Sequence, residues 1–409
     1  MREASSCASW IAAGDVTGVL GCLGVCAAVG ANAERTRIGR ALSGPVVAMG
    51  LALALGTAGV LPDPSVHSYA PLMDALVRVG TPLLLLESNV GVILRQGGAA
   101  LPAFAVGAVG TIVGGLTGAL VAGPGLVAAL GAEDAAKLAS ALVAKNVGSG
   151  VNFVAVATTT GMGTDAFQLG YAADNVVGIL YFLTVFAIGN RVNTSAAADA
   201  KAPEAGGDVV PDAAPMPPQP STAAAAAAGA AGAPALATCL GGALLLSAVC
   251  GRVAPDGYLP LETAAVVALA TLLPGVTAPL AAPGAALGGA LLYIFFAAAG
   301  ACGGGVAAGG LLARSPAVLL FSATLAAVHL LVVYVVGRKL LGLDARVLLV
   351  ASNANVGGPA TAASMAASLE WPALVVPGIL VGTLGLALAT FLGLALGPTL
   401  LAALATNPA

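Results

Sequence analysis

Two short polar segments with a shared Asn-Val-Gly core interrupt long apolar runs of this sequence. The first covers residues 146–150 and continues as Gly-Ser-Gly, and the second covers residues 355–359 and ends in Gly-Gly-Pro. Glycine lowers helix propensity and proline removes a backbone donor, so we expect the helix to unwind at both segments. In lipid, the freed backbone groups are tolerated only inside protein or a water-filled cavity, where half-helix ends can bind ions or charged groups.

Uncharged oxygen ligands gather at both segments. They are Asn146, Ser149, Asn152, Asn353, Asn355 and Thr361. Taken singly, each segment favours a packing role, in which amides and hydroxyls join helices and glycines allow close approach. Because the two interruptions occupy matched positions, we favour a binding site for a small solute and a coupling cation. Such a site would coordinate Na⁺ transiently at the same residues and would hold no permanent metal.

Charged side chains within apolar runs are costly in a bilayer and indicate function. Lys145 adjoins the first segment, and Asp174 begins a polar pair with Asn175 in the next apolar run, so both can face one cavity. A cavity carboxylate can exchange a proton for a cation, and a lysine can replace that cation or pair with the carboxylate. The alternative is a buried Lys145–Asp174 pair that only fixes helix packing. Glu87 is a further candidate, which either lines this cavity or lies near the membrane surface.

Other ionisable residues have simpler interpretations. Asp74 with Arg78, and Glu133 with Lys137, have the (i, i+4) spacing of an ion pair on one helix. His329 stands alone in an apolar run, which is typical of a hydrogen-bonded core histidine rather than of a proton relay.

The apolar runs that carry these residues are typical of a protein that crosses a bilayer roughly ten times. Of 409 residues, 59% are hydrophobic and 8% are charged, and the mean hydropathy is +0.99, which excludes a single soluble core. The net charge of -3 provides no basic surface for nucleic acid. The six cysteines form no Cys-x-x-Cys pair, and the common hydrolase, zinc-protease and nucleotide-binding motifs are missing. We therefore expect no enzyme, no cofactor, no metal framework and no nucleic-acid partner.

Apolar runs fall on both sides of a segment rich in proline and alanine. The runs cover 11–31, 41–61, 70–94, 99–122, 133–158 and 168–190, then 236–253, 261–280, 284–312, 317–337, 345–368 and 372–402. Residues 191–235 have the composition of a disordered linker, which divides the chain into a first membrane repeat with an N-terminal helix (1–190) and a second repeat (236–409). Each half carries its Asn-Val-Gly core in the fifth of six runs, which indicates duplication.

Charge indicates how the halves are oriented, because basic residues favour the cytoplasmic side in short loops. The loops near Arg35, Arg95 and Arg346 share the cytoplasmic side only if the second half is inverted. Arg191 is then among the basic residues expected on the opposite side of the membrane. The predicted fold is an all-α polytopic membrane protein. It has two inverted repeats of about five helices, each with a discontinuous helix, plus one or two peripheral helices.

Several segments also resemble a known family. They are 138–157, 351–361, 371–372, 377–385, the helix around Pro82 and the pair Asp174-Asn175. They are similar to the YjcL-like membrane family, catalogued as domain of unknown function 819, and through it to the cation:proton antiporter and anion transporter superfamily that includes bile-acid/sodium symporters. The resemblance implies inverted repeats, two broken helices that cross at mid-membrane, and secondary transport without a settled substrate. Related antiporters carry two acids where this chain has Asp174-Asn175, and Lys145 stands where a small or polar residue is expected.

The expected function is therefore ion-coupled secondary transport, driven by Na⁺ or H⁺, of a small solute with anions among the candidates. The expected partners are the lipid bilayer, that solute and the coupling cation, and a homodimer is left open. Two alternatives are a non-transporting membrane scaffold or assembly factor and, with less support, an intramembrane enzyme. The membrane itself stays open between a plasma membrane and the plastid envelope that the family resemblance suggests.

Overall fold

The computed structural model describes residues 9–36, 44–63, 68–199, 232–255, 258–301 and 316–405. Every regular element in these ranges is a helix. Seven helices of this described part are long and apolar enough to cross a membrane, and three shorter apolar helices accompany them. The expectation of a polytopic all-α chain is confirmed.

Helices are numbered α1 to α14 in chain order. Their bounds are α1 Val16–Ala33, α2 Gly44–Thr57, α3 Ala70–Leu84, α4 Val90–Gln96, α5 Ala100–Lys145, α6 Gly150–Thr159, α7 Thr164–Asp199, α8 Ala233–Val253, α9 Tyr258–Leu272, α10 Pro274–Ala301, α11 Pro316–Val332, α12 Ala345–Gly357, α13 Pro359–Ser368 and α14 Val375–Ala405. A π-helical turn, Val333–Leu340, continues α11, and a 3₁₀ turn, Pro372–Leu374, precedes α14.

Helix α5 folds back on itself at Gly131. This glycine has φ 78° and ψ 159°, a left-handed conformation that is inexpensive only without a Cβ atom. The arm 132–145 then runs back along the arm 100–130. A hydrogen bond between them shows this, since the Thr111 hydroxyl donates to the Asn146 carbonyl at 2.9 Å. The chain therefore reverses at the point where the sequence shows only a polar break between two apolar runs.

The arm 132–145 and α6 form a helical hairpin, called here the first hairpin (132–159). Its outer ends lie together, since Lys137 Nζ donates to the Gly161 carbonyl at 3.1 Å and the Gly163 amide donates to Asp134 Oδ1 at 3.2 Å. Helix α6 has 10 residues. That length is about 15 Å, half of the roughly 30 Å of hydrocarbon. The run 133–158, expected as one interrupted crossing, enters and returns at the same end instead.

Helices α12 and α13 form a second hairpin (345–368) of the same kind. Its arms contain 13 and 10 residues, and Asn353 Nδ2 lies 3.1 Å from Met365 Sδ across them. At its outer end, Asp344 and Trp371 line one surface pocket of about 290 Å³. The structure thus has two hairpins where two crossing broken helices were expected. Each arm of a hairpin is too short to span the bilayer by itself.

Helix α7 connects the two hairpins along its length. Near its start, Gly170 contacts Leu138 of the first hairpin, and near its end Gly189 contacts Leu369, just after the second. The outer end of the first hairpin thus lies at one end of α7, and the outer end of the second hairpin lies at the other.

Two details of the expected organisation are corrected by α7. The helix continues to Asp199, so residues 191–199 are helical rather than part of a linker, and 200–231 lie outside the described residues. Asn193 donates to the Leu369 carbonyl at 2.9 Å and accepts from Trp371 Nε1 at 2.8 Å. Arg191 therefore lies at the same end as Arg346, which lines the pocket beside Trp371, and not opposite to it.

Helices α1 to α3 and α8 to α10 lie beside this assembly and pack on one another through small residues, such as Gly30 with Ala48 and Gly80 with Gly288. Helix α10 contacts α1, α2, α3 and α8. Asp74 and Arg78 of α3 form the expected ion pair, with Arg78 Nε 2.6 Å from Asp74 Oδ2, and Arg78 lies 3.5 Å above the Tyr258 ring of α9. We call these six helices the outer group.

Candidate functional site

The tips of the two hairpins contact each other in the interior of the protein. A Cβ atom on Gly358, at the second tip, would lie 3.3 Å from the Gly148 carbonyl oxygen and 3.4 Å from Ser149 Cβ, at the first tip. Both expected interruptions are therefore present and adjacent. They differ in length, because the first leaves residues 146–149 outside α5 and α6, whereas the second consists of Gly358 alone, with φ 83°.

Helix α14 supports both tips with a row of small residues. Gly382 contacts Gly358 and Pro359 of the second tip, and Gly385 contacts the Val147 carbonyl of the first. A Cβ atom on Gly148 would lie 2.8 Å from Ala389 Cβ, further along the same face. The close approach of three backbones explains why small residues repeat there.

Lys145 and Asp174 form a buried ion pair at the first tip. The Lys145 ammonium contacts Asp174 Oδ2, and the two residues are 9% and 4% exposed. Asn146 Nδ2 donates to Asp174 Oδ1 at 2.9 Å, so both carboxylate oxygens face a donor. The buried pair that the sequence left as the alternative to a shared cavity is thus present, and a role of both residues in binding stays a prediction. This geometry agrees equally with a packing role and with a cation-exchange role.

Three asparagines near the tips are held by their amide nitrogens. Asn152 Nδ2 donates to the Leu386 carbonyl and to Thr390 Oγ1, both at 2.9 Å on α14. Asn355 Nδ2 donates to the Phe104 carbonyl at 3.2 Å, which joins the second hairpin to α5. These bonds fix the orientation of the amides and aim the oxygens away from the bonded partner.

The oxygens of the same asparagines have no hydrogen-bond donor among the described residues. Oδ1 of Asn152, Asn353 and Asn355 is buried, and the residues are 2%, 1% and 0% exposed. A buried acceptor without a donor is costly unless a water molecule or a cation satisfies it. The described ranges contain no group of three His, Cys, Asp or Glu side chains. The oxygen atoms near the tips belong to the asparagine amides, the backbone and the Asp174 carboxylate.

The other residues expected at the site have local roles. Ser149 Oγ accepts from the Val151 amide at 3.2 Å and caps α6, and Thr361 Oγ1 donates to the Gly358 carbonyl at 3.1 Å. Asn175 donates to the Tyr171 carbonyl of its own helix at 2.6 Å. Glu87 is exposed in the turn between α3 and α4, and no hydrogen bond or ion pair joins it to the described residues of either hairpin. Leu85, two residues before Glu87, packs with Leu386 of α14, and a role of Glu87 at the tips stays a prediction.

Four buried polar residues that the sequence did not assign to the site link the hairpins. His329 forms hydrogen bonds with Thr111 and Ser352, and Ser352 forms another with Tyr181. His329 is fully buried and hydrogen-bonded, as expected of a core histidine. Ser352 adjoins Asn353 in sequence, which is the one signal that could have identified it. Thr111 and Tyr181 lie in apolar runs without any distinguishing pattern.

Comparison with known proteins places this chain in a family. Residues 20–403 match a family described as "Protein of unknown function (DUF819)". The "Uncharacterized membrane protein YjcL" of Bacillus subtilis (strain 168) is 29% identical over 414 residues, which cover 95% of this chain and 98% of that protein. The long apolar helices and this membrane relative together identify an integral, multi-pass membrane protein.

Proposed function

The chain belongs to this DUF819 family, and from that premise we propose that it is an ion-coupled secondary transporter of a small solute, with its site at the two hairpin tips. The observation that carries the proposal is the contact between Gly358 and the Gly148 carbonyl, beside three buried asparagine oxygens that lack donors. Irregular backbone within a membrane protein is tolerated where it lines a cavity, and such sites serve solute and ion binding in transporters.

We infer further that the two hairpins belong to inverted repeats. One repeat comprises the first arm of α5, the first hairpin and α7, and the other comprises α11, the second hairpin and α14. In support, the outer ends of the hairpins lie at opposite ends of α7, beside Leu138 and Leu369. Transporters of this construction move one helix group against another around a fixed site. The outer group is the natural counterpart for that movement.

The tips bring opposite helix ends together. At each tip a helix ends, at Lys145 or Gly357, and another begins, at Gly150 or Pro359. Helix C-termini carry partial negative charge and favour cations, whereas N-termini favour anions. A cation held by the asparagine oxygens and an anionic group of the solute would therefore both be stabilised there.

The Lys145–Asp174 pair provides the coupling chemistry in this proposal. When the ammonium contacts the carboxylate, the pair is neutral overall, and a cation that binds Asp174 must displace the Lys145 ammonium. Displacement without a counter-ion leaves a buried positive charge, which favours loss of a proton from the lysine. Cation binding and proton release would thus be linked at one pair of side chains.

Purified protein with single replacements tests this proposal. We expect Na⁺ to raise the thermal unfolding temperature and Na⁺ gradients to drive proton movement in liposomes, and we expect Asn146→Ala, Asn152→Ala, Asn355→Ala or Asp174→Asn to reduce both responses. Asn32→Ala is the matched control, because Asn32 is exposed on α1 and its side chain donates to the Ala28 carbonyl of its own helix.

An unchanged Na⁺ response in all four variants would refute the site. A wild-type protein that responds to neither Na⁺ nor a pH gradient would favour the alternative of a non-transporting scaffold, in which the tips pack dry.

A further inference from the structure

A chain of buried hydrogen bonds connects the tip of the first hairpin to the second hairpin. Thr111 Oγ1 donates to the Asn146 carbonyl at 2.9 Å and lies 2.9 Å from His329 Nδ1. His329 Nε2 lies 2.8 Å from Ser352 Oγ, which lies 2.6 Å from the Tyr181 hydroxyl. The four side chains are at most 3% exposed. The chain therefore runs through protein interior from α5, over α11, to α12 and α7.

The donors and acceptors in this chain have one consistent order. A carbonyl only accepts, so Thr111 gives its single proton to Asn146 and must accept from His329 Nδ1–H. The neutral imidazole then has a bare Nε2, which accepts from Ser352, and the Ser352 oxygen in turn accepts from Tyr181. Every proton in this order points along the chain from Tyr181 of α7 toward the Asn146 carbonyl of the first hairpin.

The imidazole and its backbone pack closely against two glycines of α5. A Cβ atom on Gly107 would lie 3.2 Å from His329 Cε1, and one on Gly110 would lie 3.1 Å from the His329 carbonyl. Two glycines of α5 thus let α11 approach closely enough for the ring to contact both Thr111 and Ser352.

We propose that His329 is a positioning residue that couples the two hairpins. If the first tip moves, Thr111 loses the Asn146 carbonyl and its hydroxyl turns toward another acceptor. The His329 ring, bonded on its other side to Ser352, then transmits the change to the second hairpin. Ser352 adjoins Asn353, whose oxygen has no donor among the described residues, so the change reaches a candidate cation ligand.

The opposing interpretation is that each hydrogen bond fastens only its own pair of helices. Under that interpretation, removing the Thr111 hydroxyl loosens the first tip and nothing beyond His329. Coupling between sites is reciprocal, so our proposal requires effects in both directions across the ring.

The first measurement is the ring ¹⁵N spectrum of the full-length protein labelled in histidine. The chain contains two histidines, and His329→Phe assigns the signals. We expect a neutral ring protonated at Nδ1, with Thr111→Val shifting mainly the Nδ1 signal and Ser352→Ala mainly the Nε2 signal. A ring protonated at Nε2 alone contradicts the proposed order.

The second measurement is amide hydrogen exchange at both tips. Thr111→Val should increase exchange at the second tip, where the Gly358 amide bonds the Ala354 carbonyl, by about ten-fold, the factor expected for one buried hydrogen bond. Ser352→Ala should do the same at the first tip, where the Gly148 amide bonds the Ala144 carbonyl. Ser322→Ala is the control, because Ser322 Oγ is buried on α11 without a hydrogen-bond partner among the described residues.

Increased exchange confined to the tip nearest each substitution would overturn the coupling. This inference rests on the proposed function only for the use that the protein would make of the coupling. Neither measurement requires a cation or a solute, so both can be interpreted without assuming transport. Coupled tips in a protein that does not respond to Na⁺ would contradict the transport proposal alone, and uncoupled tips in a Na⁺-responsive protein would contradict the coupling alone.

Discussion

The Lys145–Asp174 pair shows how much of the site depends on individual side chains. Each partner is buried, and the carboxylate also accepts from Asn146. Taking a charge out of water is expensive, and a buried pair is tolerated because each charge compensates the other. The loss of one partner should therefore be worse than the loss of both.

Lys145→Met should destabilise the protein by about 3–5 kcal/mol, because it leaves Asp174 charged, buried and uncompensated. The double variant Lys145→Met/Asp174→Asn should recover most of that loss, since no charge remains while the acceptor for Asn146 is kept. Apparent unfolding temperatures in detergent measure the order of the three proteins. A double variant that unfolds below the single variant would contradict this account.

Gly358 is the second residue on which the tips depend. Its φ of 83° is unfavourable for any residue with a Cβ atom, by roughly 1–2 kcal/mol. We expect Gly358→Ala to lower the unfolding temperature and weaken the contact with Gly148. Gly289→Ala on α10 is the control, because that position is helical and open within 4 Å, so alanine should be neutral or stabilising there.

At the scale of elements, the two hairpins are the main departure from a simple helical bundle. Their arms are too short to span the bilayer. Polar side chains of the first hairpin bond to α7 and α14, whereas Asn355 of the second hairpin bonds to α5. A hairpin of this kind has both outer ends at one end of the bundle, and this is directly testable.

Cysteines at positions 134 and 163 should form a disulfide on mild oxidation in a cysteine-free background. The Gly163 amide bonds the Asp134 carboxylate, and a Cβ atom on Gly163 would lie 2.6 Å from it. After proteolytic cleavage of the chain between positions 134 and 163, the two fragments migrate together on a non-reducing gel only if the disulfide has formed. The pair 134 and 370, at opposite ends of α7, should not form one. A disulfide in that control pair, or none in the test pair, would favour a helix that crosses.

The sequence predicts the positions of the tips but not the path of the chain between them. Glycine and the Asn-Val-Gly repeat identify residues 146–149 and 358 because unwinding is a local property. The reversal at Gly131 falls in the polar break between the runs 99–122 and 133–158, where a turn was expected. The return of the chain at residues 146–149 was not expected, because it depends on contacts such as Lys137 with Gly161, which join residues distant in sequence. Periodicity cannot distinguish one interrupted crossing from two antiparallel arms of the same total length.

The site shows the same limit. Lys145 and Asp174 are identifiable because charge in an apolar run is unusual. Thr111, Tyr181 and Ser352 are ordinary polar residues, and only the packing of four helices brings them to His329. Glu87 carries an equally unusual charge, but its helix ends before it, and it remains exposed.

At the scale of the whole molecule, the two hairpins open toward opposite ends. The outer end of the first hairpin lies beside Lys137 and Gly161, and that of the second lies beside Asp344 and Trp371. The basic residues Arg191 and Arg346 share the second end, so positive charge favours the cytoplasm for that end.

Single cysteines at positions 133 and 341 should therefore react with a membrane-impermeant maleimide from opposite sides of the membrane. The Glu133 side chain is 83% exposed and Leu341 is 55% exposed, so both sites are accessible. We expect labelling of position 341 in inside-out vesicles and of position 133 in right-side-out vesicles, with the cysteine-free protein as the control. Labelling of both from one side would contradict the arrangement of the hairpins.

The support that α14 gives to both tips has a consequence for biosynthesis. A nascent chain emerges from its N-terminus, so Lys145 reaches the insertion machinery before Asp174, and an unpaired lysine in hydrocarbon costs about 2.5–3.5 kcal/mol. The acceptors of Asn152 are synthesised later still, because the Leu386 carbonyl and Thr390 belong to the last described helix. The Asn152 side chain of the first hairpin can therefore be paired as observed only after α14 has been synthesised, and a chain truncated before α14 would lack both acceptors.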